Sequence, residues 1–499
     1  MRLRGRPSTR PLMRRDAVWS AVEALGSGLC SVAAAFVIAR LIGPSELGIG
    51  AAAVAVHVLL WVAVNALFAD AIVQRATLDD ATLSSAVWAS TLVGFWAAAA
   101  QAGSGGLLAW MLDDARMGAM ALLLAVPLPF VGMGGALQGL LTRGRRYRAL
   151  AARTLIGQSA GMVLGIVLAV RGMGAWAPVA QQAAASLISA LVLIGVAGWR
   201  PRMVCRWPAV RDLLRIGLPL TASTLVQIGR YRLFALLIGG TAGATALGQI
   251  HVAFRLVETC RDIAFTALWR LFLPILSAHQ HDRAVLLAQV DRLLRLSSVV
   301  MLPACGMLAV VLVPLTELVL GPGWREAGVA ALPLVAVMAL LVLMFPSGAA
   351  LIATGQARFT LYANVAGLIA TAGLVLAARP ATPWEAVLVW CAAQVFVSPY
   401  SLWVNGLALG VGPFRALRAG MPMLLATGVG IGMALLPEGG EPLEALVWRT
   451  GAFILGLAAG AVPSMWSWGM RRLGWWHASA PASAAGKRGA IPDGGKRPI

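Results

Sequence analysis

Acidic side chains and lysine are what this sequence has least of. Asp and Glu together number 20 against 40 Lys plus Arg in 499 residues, and the only lysines are Lys487 and Lys496. Charged residues make up 12% of the chain, about half of the roughly 25% usual in soluble domains. Hydrophobic residues make up 59%, and mean hydropathy is +0.81. So little charge cannot cover a water-facing surface, so the chain is expected to be an all-α polytopic membrane protein. The five cysteines, Cys30, Cys205, Cys260, Cys305 and Cys391, are scattered with no C-x-x-C pair, which argues against a disulfide framework or a cysteine metal site. Also missing are a phosphate-binding glycine loop, H-E-x-x-H, G-x-S-x-G and any cluster of carboxylates. Nothing therefore points to nucleotide hydrolysis or covalent catalysis, and neither an enzyme nor a cofactor or metal is expected.

What the sequence has in plenty is long apolar runs. Candidate spans fall at about 17–39, 47–69, 84–112, 117–141, 154–170, 176–198, 213–239, 244–274, 293–320, 329–353, 361–378, 385–410, 420–436 and 444–468, in line with the ~20 apolar residues a membrane helix needs. The fourteen spans divide the chain into a basic tail (1–15), an amino-terminal lobe of six spans (16–199), a second lobe of six (200–410), a final pair (411–476) and a disordered tail rich in Ala, Gly, Pro, Lys and Arg (477–499). Gly26-Ser27-Gly28 and Gly132-Met133-Gly134-Gly135 lie inside spans, where small residues allow close helix packing.

The positive charge sorts by loop. With the amino terminus inside and the spans alternating, 29 of the 40 basic residues fall in inside segments and five in outside segments, with six inside spans. That asymmetry puts both termini in the cytoplasm. The basic loops need no nucleic-acid partner, because the positive-inside bias and anionic headgroups account for them. No outside loop exceeds about a dozen residues, which leaves little platform for an enzyme working on that face.

The residues most exposed to the cost of burial are the charges within spans. In the eighth, His251, Arg255, Glu258 and Asp262 follow a 4, 3, 4 spacing, which at ~100° per residue keeps them on one narrow stripe. Charge in a bilayer persists mainly where it faces water, a partner charge or a substrate. Arg255 and Glu258 can pair with each other at i, i+3, and Arg261 and Arg270 follow on the same span. In the seventh span Arg230 shares a face with Ser223 and Gln227, whereas Arg232 sits among Leu225, Ile228 and Leu236. Arg230 is therefore expected to face a cavity, and Arg232 to pair between helices or snorkel. Five arginines against Glu258 and Asp262 suit a phosphate or diphosphate, which guanidinium binds bidentately. In the first span Ser20, Glu23, Ser27 and Ser31 share a face, and Glu23 is a candidate coupling site for a proton or cation or a partner for an arginine. His57 and Asn65 lie about 80° apart on the second span, and His57 reads more readily as a satisfied buried histidine than as a cavity ligand.

A faint internal repeat links the two halves. The turn from Arg40 reads RLIGPSELGIG and that from Leu236 reads LLIGGTAGATALGQI, with Leu47-Gly48 and Leu247-Gly248 each opening a span 200 residues apart. Parallel repeats of six spans are a known transporter plan. Together with Ala244-Thr-Ala-Leu-Gly-Gln249, Leu273-Pro274-Ile-Leu-Ser277, Leu320-Gly-Pro-Gly-Trp-Arg-Glu-Ala327 and Ala353-Thr-Gly-Gln356, these turns run in an order that resembles bacterial oligosaccharide flippases. That family is the polysaccharide transporter (Wzx-like) branch of the multidrug/oligosaccharidyl-lipid/polysaccharide (MOP) superfamily, and the resemblance spans roughly residues 17–470. It implies two six-helix lobes facing each other as a V plus two carboxy-terminal helices. It also implies alternating-access export of an undecaprenyl-diphosphate-linked oligosaccharide across the bacterial inner membrane, for exopolysaccharide, capsule or O-antigen. The resemblance further implies contact with inner-membrane lipids, a glycan polymerase and glycosyltransferases.

On that reading Arg230, Arg255, Arg261 and Arg270 hold the diphosphate, and Ser223, Gln227, His251, Glu258 and Asp262 supply the polar cavity. One departure is plain: many relatives carry an acidic residue near the middle of the seventh span, where this chain has Arg230 and Arg232. A multidrug or cation exporter of the same fold needs an acidic, aromatic pocket, which the arginine surplus opposes. A membrane glycan polymerase or ligase needs the large outer loop that is missing.

Overall fold

The structure is a computed structural model and describes residues 10–75, 77–278, 282–353, 358–409, 413–436 and 442–467. Among these residues the chain is helical, with no strand. The helices are α1 (Arg10–Gln74), α2 (Asp80–Leu112), α3 (Met117–Ala125), α4 (Leu128–Arg143), α5 (Tyr147–Val170), α6 (Trp176–Ala197), α7 (Trp207–Ala278), α8 (Arg283–Leu320), α9 (Arg325–Ala353), α10 (Arg358–Ala378), α11 (Pro383–Leu409), α12 (Pro413–Ala434) and α13 (Pro442–Ser467). Nine helical segments among the described residues are long and apolar enough to cross a membrane. Two of them, Val18–Gln74 and Trp207–Asp262, hold 57 and 56 residues, which at 1.5 Å per residue is about 85 Å, far more than one ~30 Å crossing. Each folds back at a glycine. The protein is a multi-pass membrane protein.

The expected spans map onto these helices with three kinds of difference. Pairs expected as separate spans are joined without a loop in α1 and α7. The fourth span is broken into α3 and α4 at Val126–Pro127, where proline removes a backbone donor. Several helices also start earlier than hydropathy suggests: α5 at Tyr147, α7 at Trp207, α8 at Arg283 and α12 at Pro413. Arginines mark those early turns, and their long stems let a helix run on while the charge reaches polar surroundings. Arg153, expected in an inside loop, accordingly lies on α5. Residues 10–15 of the expected basic tail are helical, whereas 477–499 and Thr354-Gly-Gln356 lie outside the described residues.

The two kinks repeat each other. Gly43 has φ 78°, ψ 171° and Gly243 has φ 80°, ψ 177°, a region only glycine occupies readily. They are 200 residues apart, the same interval as Leu47 and Leu247, so the repeat pairs Gly43 with Gly243 and not with the Gly239 that its R/L-L-I-G lettering suggests. Just beyond each kink the two halves meet backbone to backbone. A methyl group on Gly48 would strike Ala244 O and Gly248 N, and one on Gly248 would strike Pro44 O and Gly48 N.

Around that contact lies an apolar cluster of Ala39, Leu47, Val252, Leu320, Trp324 and Ala327, drawn from both halves. Arg40 on α1 donates to the carbonyls of Leu318 and Val319 on α8, which satisfies orphan acceptors at a helix end. Away from this end, one core joins Phe68, Ile72, Leu137 and Leu193 of the amino-terminal half to Val210 and Leu213 at the start of α7, and another lies within the second half, around Phe234, Phe254, Leu312, Val335 and Trp390. Helices α12 and α13 pack on each other and on α8, with Val310, Ala434 and Phe453 buried between them. Of the small residues expected to allow close packing, Gly132 lies against Ser90 O, Gly135 against Asn65 O and Gly26 against Leu155, while Gly28 meets nothing.

The glycine contact gives a direct test. In a background lacking Cys30, Cys205 and Cys260, a cysteine at Leu47 should be protected from maleimide, and adding Gly48→Leu should expose it. Equal labelling in both would mean that this contact does not close the end of the bundle.

Candidate functional site

Depth along the two kinked helices locates the charges. Arg255 lies twelve residues after Gly243 and Ser31 twelve before Gly43, so each sits ~18 Å from the kink, near the middle of a ~30 Å core. The two meet: Arg255 Nη2 donates to Ser31 Oγ, a bond from one half of the molecule to the other. Arg255 Nε is buried with no partner, so the guanidinium keeps an unused donor at mid-depth. Such a donor is costly in a low-dielectric interior and stays poised for an acceptor.

The stripe expected on α7 is continuous, but its pairing differs from the simplest expectation. Glu258 pairs with Arg261 (Nη2–Oε1 3.6 Å) rather than with Arg255. Arg261 also donates to Asp262 Oδ1 from Nε (3.1 Å) and Nη2 (3.0 Å). Arg261 thus joins two carboxylates, while Arg255 is left to reach Ser31. His251 Nδ1 lies 3.3 Å from Tyr231 Oη, and Tyr231 packs on Phe254 at 4.7 Å between ring centroids. Arg270 lies on the helix, but its side chain is outside the described residues.

Arg230 occupies a different seat. Its Nη1 donates to Gln394 Oε1 at 3.1 Å, and its Cζ stands 4.9 Å from the Trp390 ring centroid, an arrangement worth about 0.5–2 kcal/mol. Gly367 makes room, because a methyl there would come within 2.7 Å of Arg230 Nη1. Arg230 therefore faces α10 and α11 within its own half. Gln227 and Ser223, one and two turns earlier, are exposed. Arg232 lies over the Tyr231 ring at 5.3 Å with Nε buried and unpartnered.

In the amino-terminal half, Glu23 Oε1 accepts from Thr154 Oγ1 at 2.7 Å. On the preceding residue of α5, Arg153 Nη2 donates to Gln138 Oε1 at 2.8 Å, and its Nε is buried without a partner. Glu23 belongs to this second polar group and not to the α7 stripe. His57 is fully buried. Its Nδ1 lies 2.9 Å from Leu124 O and its Nε2 3.1 Å from Ser186 Oγ, so Nδ1 donates and Nε2 accepts. It is a satisfied core histidine. Among the described residues no cluster of His, Cys, Asp or Glu could hold a metal.

Sequence reasoning missed the polar tie at the kinked end. Arg116 reaches Glu46 with both terminal nitrogens (Nη1–Oε2 3.0 Å, Nη2–Oε1 2.9 Å) and Asp114 with Nε (3.1 Å) and Nη2 (2.8 Å). Ala175 N donates to Glu46 Oε2 at 2.6 Å. Three separate turns are joined this way. The acidic letter inside the G-P-S-E-L-G turn was the available signal. The Arg116 hydrogen bond holds the Asp114 carboxyl below its ordinary value.

The geometry can be set beside known proteins. The sequence model of the polysaccharide biosynthesis protein family matches residues 37–329. The succinoglycan biosynthesis transport protein ExoT of Rhizobium meliloti (strain 1021) is 23% identical over 269 residues, 54% of this chain and 54% of that protein. The teichuronic acid biosynthesis protein TuaB of Bacillus subtilis (strain 168) is 26% identical over 203 residues, 40% and 41% of the two chains. The chain spans about half the length of the curated relatives it matches. Among solved structures, the inward closed conformation of the lipid II flippase MurJ aligns with a TM-score of 0.70 at 11% identity, over 89% of this chain and 98% of that one. The inward-facing conformation of a multidrug resistance MATE family transporter of the MOP superfamily aligns with a TM-score of 0.53 at 14% identity, over 80% and 95%. The chain shares their fold.

Arg116 carries the pH-dependent prediction. Arg116→Met should lower stability in detergent at pH 7 by about 1 kcal/mol, a small effect because the arginine is 40% exposed. A depressed carboxylate stabilises above its unfolded value and loses that contribution as pH falls through its folded value, so the gap between wild type and variant should narrow below about pH 4. Thermal melts at stepped pH measure it, and a gap unchanged down to pH 2 would contradict the assignment.

Proposed function

This chain belongs to the polysaccharide biosynthesis protein family, and we propose that it translocates a lipid-linked oligosaccharide across the bacterial inner membrane by alternating access. The observation that carries this reading is the pair Arg255–Ser31: a cation with a spare donor, at mid-depth, on the seam between two halves that repeat each other. A phosphate or diphosphate linking glycan to lipid is the acceptor that chemistry suits, since guanidinium offers paired donors to such oxygens. The best-fitting carrier is undecaprenyl diphosphate.

In this scheme Arg255 and Arg230, helped by Arg261 and Arg270, hold the diphosphate in transit, and Arg261 trades its carboxylate partners for phosphate oxygens. Ser223, Gln227, His251, Glu258 and Asp262 offer hydrogen bonds to sugar hydroxyls. The lobes, 16–199 and 200–410, rock about the midplane, while the pair at 411–476 braces α8. With the termini in the cytoplasm, as the loop arginines favour, the end closed by Gly48 and Gly248 is the periplasmic one. Glu23, bonded to Thr154 beside Arg153, is the candidate coupling carboxylate. The reading is non-enzymatic: the chain moves a glycan that glycosyltransferases have built and hands it to a polymerase.

Deleting the gene should cause completed lipid-linked repeat units to build up on the cytoplasmic face. Wild type should restore export. Arg255→Ala with Arg230→Ala should restore it poorly, with a drop of about 10- to 100-fold for lost charge-assisted bonds, and Arg255→Lys should fall between. Full rescue by the double variant, at equal protein level, would remove these arginines from the scheme.

A further inference from the structure

A basic cavity of about 630 Å³ opens at the end of the amino-terminal half opposite Gly43, lined by Asp16, Trp19, Arg145, Arg146, Arg148 and Val196, among others. It is built from the start of α1, the turn between α4 and α5, and the end of α6. Arg145 Nε donates to Asp16 Oδ2 at 2.8 Å. Arg148 Cζ lies 5.7 Å from the Trp19 ring centroid. Arg146 donates to the last carbonyls of α6, Ala197 O at 3.1 Å and Val196 O at 3.0 Å. Arg145 has φ 55°, a left-handed conformation that costs a non-glycine residue energy and persists where the surroundings fix it. The cluster is thus held in place, and its three guanidinium groups face one lining carboxylate.

Depth decides what this cavity meets. Trp19 precedes Gly43 by 24 residues, or ~36 Å of helix, more than the ~30 Å hydrocarbon core. With the kinked end at one interface, the cavity lies at headgroup level on the other. Tryptophan suits that depth, with its ring against acyl stems and its N–H towards water. A free anion would satisfy the arginines but make no use of the indole or the apolar lining, whereas a phosphate carried on a lipid uses both.

We infer that this cavity binds the phosphate headgroup of a membrane lipid. Arg145 and Arg148 take its oxygens, Arg146 holds the turn to α6, and Asp16 acts as an internal anion that occupies Arg145 until the lipid displaces it. The site shares no residue with the α7 stripe and does not depend on what the protein transports.

The test uses the purified full chain in mild detergent, with retained lipid counted by native mass spectrometry after incubation with phosphatidylglycerol, phosphatidylcholine or inorganic phosphate. Wild type should keep phosphatidylglycerol over phosphatidylcholine. Arg145→Gln with Arg148→Gln should keep about tenfold less, while Asp16→Asn should keep more than wild type, the opposite of what loss of a merely structural ion pair would give. Arg116→Met, at the opposite end of the molecule, should leave retention unchanged. Equal retention by wild type and the double variant would overturn the site, as would inorganic phosphate binding as tightly as the lipid. If the double variant does not fold, Asp16→Asn decides alone, and no rise in its retention would end the proposal.

Discussion

Two backbones touch at Gly48 and Gly248, and much of this molecule depends on that approach. No side chain fits at either position. The contact is possible because Gly43 and Gly243 turn their helices back in a conformation other residues avoid. In a membrane, where lipid gives helices no hydrophobic reason to associate, closeness of this kind supplies the packing energy. It also sets the register of everything below it. Residues counted down from the two kinks fall at equal depths, which is how Ser31 and Arg255, each twelve residues away, come to meet.

The charges show how such a protein tolerates arginine in apolar surroundings. Several guanidinium groups have a local answer: Arg261 two carboxylates, Arg230 an amide and an indole face, Arg40 the carbonyls at the end of α8. Arg153, Arg232 and Arg255 each keep a buried Nε without a partner, and of these Arg255 is the one whose hydrogen bond, to Ser31, crosses to the other half. Because that partner belongs to the other half, any separation of the halves at this depth would break the bond and leave Arg255 with further unused donors.

Much of the fold was legible in the sequence. Apolar runs separated by arginine clusters marked the spans, and the recurrence of Leu-Gly at 47 and 247 marked the repeat. What misled was treating arginine as the end of a helix. Arg153 stands on α5 and bonds Gln138, because a long side chain lets its charge find a partner without stopping the backbone. The candidate site was legible only as a face. A spacing of 4, 3, 4 aligned His251, Arg255, Glu258 and Asp262 on one helix, and the structure keeps that stripe. Spacing could not say that Glu258 would choose Arg261 over Arg255, since both lie three residues away and only the surrounding packing separates them.

The sequence by itself determined the class of the molecule: helical, membrane-embedded, doubled, and charged along one stripe. These follow from composition and short-range period, which depend on neighbours within a turn or two. The tertiary structure decided the partners. Ser31 for Arg255, Gln394 and Trp390 for Arg230, and Glu46 for Arg116 are brought from 70 to more than 200 residues away. Helix periodicity fixes which way a side chain points but not which helix stands opposite. That choice is made by where small residues let backbones approach.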